Sequence, residues 1–163
     1  MRVLVSTASK HGATQEIGDR IGAVLGDRGH VVDVRGPCDV GAVDDYDVVV
    51  LGSAVYAGHW QRDACELARR QHEALRHRPV WLFSSGPVGD PPRPDEATED
   101  GEELRSELRA LEHHVFAGRT DTQELSLPER AFVKALRVSA GDSRDWDDVD
   151  RWAASIAAAI SSG

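Results

Sequence analysis

The chain has 163 residues, 40% of them hydrophobic and 29% charged, with a formal net charge of −9. This is about one domain's length with enough apolar content for a core, which argues against a disordered chain. No apolar run approaches the roughly 20 residues of a bilayer-spanning helix, and the negative balance is the wrong sign for holding nucleic acid through its phosphates.

The excess charge sits in two windows. Asp90 to Glu112 holds nine acidic and three basic residues, and Asp142 to Arg151 holds five and two. Such windows are either solvated faces or a surface that steers a basic partner. Cys38 and Cys65 stand far apart with no Cys-x-x-Cys, the pattern of two reduced thiols. The first residues enter a strand pattern directly, with no secretory lead-in. A cytoplasmic location is the expectation.

Val3–Val5, Val31–Val34, Val48–Leu51, Val80–Phe83 and Val115–Ala117 are short β-branched or aromatic runs bounded by Gly, Pro, Asp or His, and they read as five strands. Several are continuously apolar, as in a parallel sheet covered on both faces. Helical periods alternate with them: Ile17, Ile21, Val24 and Leu25; Ala64, Leu67, Ala68 and Leu75; Leu104, Leu108 and Leu111; and Val149, Trp152, Ala153, Ile156 and Ile160. Gly29 is placed for a left-handed helix end, and Pro79 stops the helix before strand four. The link from Asp39 to Asp47 is too short and polar for a full crossover helix, so a loop with a short helical turn is expected. No internal repeat or linker appears. The expectation is one α/β domain over 1–163, a three-layer sandwich whose five-stranded parallel sheet has the order 2-1-3-4-5, with ligands at the carboxyl ends of strands one and three.

That rule places "STASKHGAT" (Ser6 to Thr14) at the switch point, between strand one and helix one. Unpaired N–H groups and the dipole of a helix N-terminus favour an anion. Ser9 and Thr14 add hydroxyls, and Gly12 allows close backbone approach. The alternative is a turn in which Thr14 merely caps the helix. Gly-x-Gly-x-x-Gly is missing after strand one, and Gly-x-x-x-x-Gly-Lys-Ser/Thr occurs nowhere, which argues against dinucleotide and P-loop sites. A phosphoacceptor receiver needs acids where Ser6-Thr7 and Leu51-Gly52 stand. No Gly-x-Ser-x-Gly is present to anchor hydrolase chemistry. His113 and His114, adjacent on a strand, point to opposite faces and cannot chelate one ion, so no metal site is expected.

Ser9-Lys10-His11-Gly12-Ala13-Thr14 resembles the flavodoxin phosphate loop, Thr-x-Thr-Gly-x-Thr, with His11 where the family has a hydroxyl. "VVVLGSAVYAGHW" (Val48 to Trp60), "PVWLFSSGPVGD" (Pro79 to Asp90) and "DWDDVDRWAASIA" (Asp145 to Ala157) are similar, in order, to strand three and its loop, strand four and its loop, and the last helix. They resemble the flavodoxin-like branch that includes menaquinone-dependent protoporphyrinogen dehydrogenase. The resemblance implies an FMN-binding flavoprotein. Ser9, Lys10, His11, Gly12, Ala13 and Thr14 would hold the phosphate. Ala54, Val55, Tyr56, Ala57, Gly58, His59 and Trp60 would flank one side of the flavin ring, and Ser85, Gly86, Pro87, Val88, Gly89 and Asp90 the other.

Within the first ring loop, Tyr56 and Trp60 are the stacking candidates, although Trp60 is equally placed to pack as the lid of helix two. The resemblance also implies a peptide flip at Gly58, which glycine makes cheap. His59 either exchanges a proton or is an ordinary surface histidine. Leu125 to Val138 alternates apolar and basic residues, is shorter than the branch's insert, and either touches a membrane surface or packs on the domain. Two functions follow: an FMN-dependent oxidoreductase resembling protoporphyrinogen dehydrogenase, or an electron carrier docking a reductase through its acidic surface. The partner is accordingly a small molecule or a redox protein. No side chain is singled out as catalytic, because electron and hydride transfer belong to the flavin.

Overall fold

In the computed structural model, residues 1–10, 12–86, 98–116, 119–120, 141–142 and 145–163 are described. The segment 125–138 lies outside them. The first elements are β1 (Arg2–Ala8), α1 (Ala13–Asp27), β2 (Val31–Arg35), β3 (Val48–Tyr56), β4 (His59–Trp60) and α2 (Arg62–Arg70). After them come α3 (His72–Arg76), β5 (Val80–Ser85), α4 (Glu99–Leu108), β6 (Glu112–Phe116), β7 (Arg119–Thr120), β8 (Gly141–Asp142) and α5 (Trp146–Ser162). The main sheet runs β2-β1-β3-β5-β6, all parallel, and β4 folds back antiparallel on the end of β3. The five long strands thus carry the expected order 2-1-3-4-5.

The continuous apolar runs in β1, β3 and β5 are explained by cover on both faces. Val3, Val5, Val48, Val50, Trp81 and Phe83 pack against Ile17, Ile21 and Leu25 of α1 and against Val149, Trp152, Ile156 and Ile160 of α5. Leu4, Val49, Leu51, Val80 and Leu82 face the other way, onto Ala64, Leu67, Leu75 and Leu108. Phe83, Phe116 and Trp152 meet edge to face, with ring centroids 5.4 to 5.9 Å apart, an arrangement that adds to the area they bury. Gly29, at φ 92°, follows α1.

Three local expectations change. Helix two is two pieces, because the chain leaves helical geometry at Gln71 (φ −107°, ψ 19°) before α3 begins. Leu111 is not part of α4: Arg109 turns left-handed at φ 55° and closes the helix, which leaves Leu111 exposed. The fifth long strand begins at Glu112, earlier than its apolar residues suggest.

The β2–β3 link has no crossover helix; its single 3-10 turn, Pro37–Asp39, precedes the stretch from Asp39 to Asp47 where a helical turn was expected. Val40, Val43 and Tyr46 bury their side chains there, but without a helix the link's carbonyls need donors from elsewhere. Two arginines supply them. Arg70 donates to the carbonyls of Val40 (3.1 Å) and Gly41 (2.9 Å). Arg78 donates to the carbonyls of Val43 and Tyr46, and through Nε to Ala74 (2.7 Å). Arg78→Met keeps the stem's packing and removes the donors, so it should cost about 2 kcal/mol in urea unfolding. Arg78→Lys should recover only part of that loss, because one ammonium cannot replace the guanidinium fork. An unchanged urea midpoint in Arg78→Met would show that water serves these carbonyls equally well.

Candidate functional site

The parallel register brings the ends of β1, β3 and β5 to one edge, because Ala8 pairs with Ser53 and Ala54 with Ser85. At that edge α1 and α2 begin close together. A cavity of about 310 Å³ lies between their first turns, lined by Thr7, Ala8, Ser9, Gly12, Gln15, Gly36, Pro37, Cys38, Gln61 and Asp63. Two helix N-termini facing one cavity add their partial positive charges there.

Gly12 caps α1 at φ 85°, in left-handed geometry that an L side chain adopts only with strain. Its N–H donates to Ser9 Oγ at 2.9 Å, and its carbonyl accepts from Glu16 N–H at 3.2 Å. Thr14 is therefore not the capping residue; it lies inside the first turn and is buried. Thr7 Oγ1 donates to Gln15 Oε1 at 3.0 Å, and Gln15 Nε2 donates in turn to Asp19. Ser9 and Gly12 line the cavity, and Lys10 Nζ lies 4.5 Å from the centre of the Tyr56 ring. His11 lies outside the described residues.

The end of β3 and β4 form a tight hairpin. Val55 pairs with Trp60 and Tyr56 with His59, and the two connecting residues, Ala57 (φ 52°) and Gly58 (φ 81°), are both left-handed. Two positive φ values in a two-residue connection match the right-handed twist of the strands. Ala54 and Tyr56 are half-buried, the tip and His59 are exposed, and Val55 and Trp60 turn into the core. The indole packs among the residues of the α2–α4 layer. It donates its N–H to Ser84 Oγ at 2.7 Å, so Trp60 takes the packing role of the two open to it. Asp100, in the first turn of α4, fastens the hairpin from outside: one carboxylate oxygen accepts Trp60 N–H at 2.9 Å and lies 3.2 Å from His59 Nδ1.

On the far side Ser85 is buried, and Gly86 donates its N–H to the Phe116 carbonyl at 3.2 Å. Pro87, Val88, Gly89 and Asp90 lie outside the described residues. Sequence reading missed Gln61, Asp63, Gly36, Pro37 and Cys38 as cavity walls. Only the helix start after Trp60 hinted at the first two, and nothing local marked Cys38. His113 and His114 do face opposite sides: His113 meets Glu102 at 2.9 Å, and His114 meets Asp148 at 3.0 Å and stacks on Trp152.

The Cys38 thiol, hydrogen-bonded to Asp63, is held above its usual titration range chiefly by that bond and then by the carboxylate's charge. It is therefore a neutral donor at pH 7 rather than a nucleophile. Asp63→Asn should speed iodoacetamide labelling of Cys38 severalfold at pH 8, read by peptide mass spectrometry so that Cys65 is scored separately. Equal rates would remove Asp63 as the cause.

The flavodoxin domain family matches the sequence over residues 4–147. Oxidised flavodoxin 1 from Bacillus cereus superposes with a TM-score of 0.60 at 16% identity, over 94% of this chain and 95% of that one. Two-electron reduced flavodoxin from Megasphaera elsdenii gives 0.57 at 20% identity, over 69% and 83%. Rubredoxin oxygen:oxidoreductase from Desulfovibrio gigas gives 0.57 at 9%, over 94% of this chain but 36% of the larger protein. No curated protein sequence matches. At these identities the structural likenesses speak for the fold alone, while the family match spans most of the chain. The chain belongs to the flavodoxin domain family, and its cofactor is FMN.

Proposed function

We propose that this protein, with residues 1–163 acting as one domain, is a cytoplasmic FMN-dependent oxidoreductase that exchanges electrons with a small molecule. The observation that carries the FMN site is the cavity between the first turns of α1 and α2, lined by Ser9 and Gly12 at the sheet edge where β3 ends. Its donor set suits a phosphate: two helix N-termini, the hydroxyl of Ser9, and the Gly12 loop. Among the described lining residues Asp63 is the opposing charge, and it strengthens the hold of the Cys38 thiol on its proton. The ring lies, in this reading, against the hairpin, where Tyr56 offers an aromatic face and Ala57–Gly58 an exposed peptide. When bound, FMN supplies the one- and two-electron chemistry. The chain anchors the phosphate, orients the ring and shields one side of it from water.

The oxidoreductase reading rests on the similarity of the strand-three, strand-four and last-helix segments to the protoporphyrinogen dehydrogenase branch. A second reading, an electron carrier, is favoured by a different observation. The helix that fastens the hairpin, α4, places Glu99, Asp100 and Glu102 in its first turn, a negative surface beside the ring loop that a basic reductase can dock on. No helix among the described residues is long and apolar enough to cross a membrane.

Titration of flavin-stripped protein should show FMN binding far more tightly than riboflavin. Gly12→Ala should weaken FMN about 10-fold while leaving riboflavin unchanged, because the strain falls on the phosphate loop. Equal affinity for the two flavins in the wild type would sink the phosphate assignment. The two functions separate by salt. A carrier's rate with its reductase should fall steeply between 50 and 500 mM NaCl, whereas turnover of a neutral quinone or a porphyrinogen should change little.

A further inference from the structure

Behind the hairpin runs a chain of polar side chains with no part in the proposed site. Ser84 Oγ accepts from Trp60 Nε1, lies 2.7 Å from His113 Nε2 and 3.3 Å from Thr98 Oγ1. His113 Nδ1 lies 2.9 Å from Glu102 Oε1, and Thr98 Oγ1 accepts Gly101 N–H at 3.0 Å. Ser84 and the His113 side chain have no exposed surface, whereas Glu102 is 45% exposed. One proton arrangement satisfies every member. His113 carries its proton on Nδ1 and donates to Glu102, Ser84 donates to His113 Nε2, and Ser84 accepts from both Trp60 and Thr98. The order carboxylate, imidazole, hydroxyl is that of a hydrolase triad. Here the hydroxyl is sealed from solvent, so no substrate reaches it and its task is internal.

We propose that His113 is a positioning residue for the flavin-ring hairpin, acting through Ser84 to fix Trp60 and with it the Ala57–Gly58 turn. The inference rests on the reading of that hairpin as the ring-side loop. Trp60 and Asp100 hold the hairpin from opposite sides: the indole is tied inward to β5, and the backbone N–H is tied to α4. Both ties lead to the first turn of α4, where Asp100 and Glu102 stand two residues apart. Without an acceptor at position 113, the Ser84 hydroxyl loses its orientation, and the indole N–H is left in a buried, half-satisfied network.

The relay is sensitive to protons. The titratable and charged groups around His113 are Glu102 and Arg105 on α4 and His114 beside it on β6, with Asp100 and His59 at the hairpin end; Ser84 on β5 brings no charge. Burial lowers the proton affinity of His113 more than Glu102 raises it. The folded protein therefore binds this proton less readily than the unfolded chain, and the relay is intact above the ordinary histidine value of 6.5. Its contribution to stability erodes as pH falls below that value.

The test follows the indole N–H resonance of Trp60, identified with Trp60→Phe, in flavin-free protein, together with FMN titration. His113→Leu should speed solvent exchange of that N–H and weaken FMN, each about 10-fold. His113→Gln, which presents an acceptor to Ser84 but cannot take a second proton, should restore both and flatten their pH dependence below pH 6.5. Ser84→Ala should match His113→Leu, and it serves if the leucine variant does not fold. Wild-type exchange and FMN affinity in a folded His113→Leu, or no recovery in His113→Gln, would overturn the proposal. So would an altered indole signal with FMN affinity unchanged in every variant. A wild type that binds no FMN would instead overturn the ring-side reading, and the indole signal would still report whether the relay holds the hairpin.

Discussion

The alignment of β1, β3 and β5 governs everything built on this molecule. Parallel pairing places Ala8 beside Ser53 and Ala54 beside Ser85, so three chain segments leave the sheet on the same edge. Parallel strands cannot be joined by tight turns, and the returning helices must start on that edge. The cavity between α1 and α2 follows from the topology before any side chain is chosen. Residue chemistry then decides what it holds. Ser9 and Gly12 shape one wall, Gln61 and Asp63 the other, and the β2 end closes the space with Gly36, Pro37 and Cys38.

Much of this was legible in the sequence because strand periodicity survives burial. Val48 to Leu51 and Val80 to Phe83 are continuously apolar because both faces of the sheet are covered; alternation of elements implied a parallel sheet, and the order 2-1-3-4-5 is that of its compact five-stranded form. Helix ends were harder to read. Leu111 continues the spacing of Leu104 and Leu108, but Arg109 adopts a left-handed cap that no local residue preference announces. Gln71 likewise breaks a helix whose apolar residues run on to Leu75.

The site was half legible. The hydroxyl-glycine loop and the Gly58 turn carry local chemistry that a sequence displays, and both sit at the carboxyl edge of the sheet. Cys38, Asp63, Asp100 and Glu102 carry none: they matter only through partners distant in sequence, such as Asp100 on Trp60, 40 residues away. Trp60 shows the limit most clearly. Sequence offered an aromatic that could stack on a ring or pack in the core, and the deciding residue was Ser84, on another strand, which receives the indole N–H.

Burying that indole explains why so many polar residues gather behind the hairpin. A buried tryptophan leaves one donor that must find an acceptor. Ser84 provides it, but a hydroxyl enclosed in the core has its own proton to place, and His113 Nε2 takes it. The imidazole then has a second nitrogen to satisfy, and Glu102 does so from the protein surface, its other oxygen 3.7 Å from Arg105. The series ends where water begins. Each member is required by the one before it, and replacing any one by an apolar residue strands its neighbour. The same reasoning applies to the β2–β3 link, where the absence of a crossover helix left carbonyls that Arg70 and Arg78 now bind. In both places the fold departs from a plain alternation of strand and helix, and in both the departure is stabilised by long polar side chains reaching in from elements far along the chain.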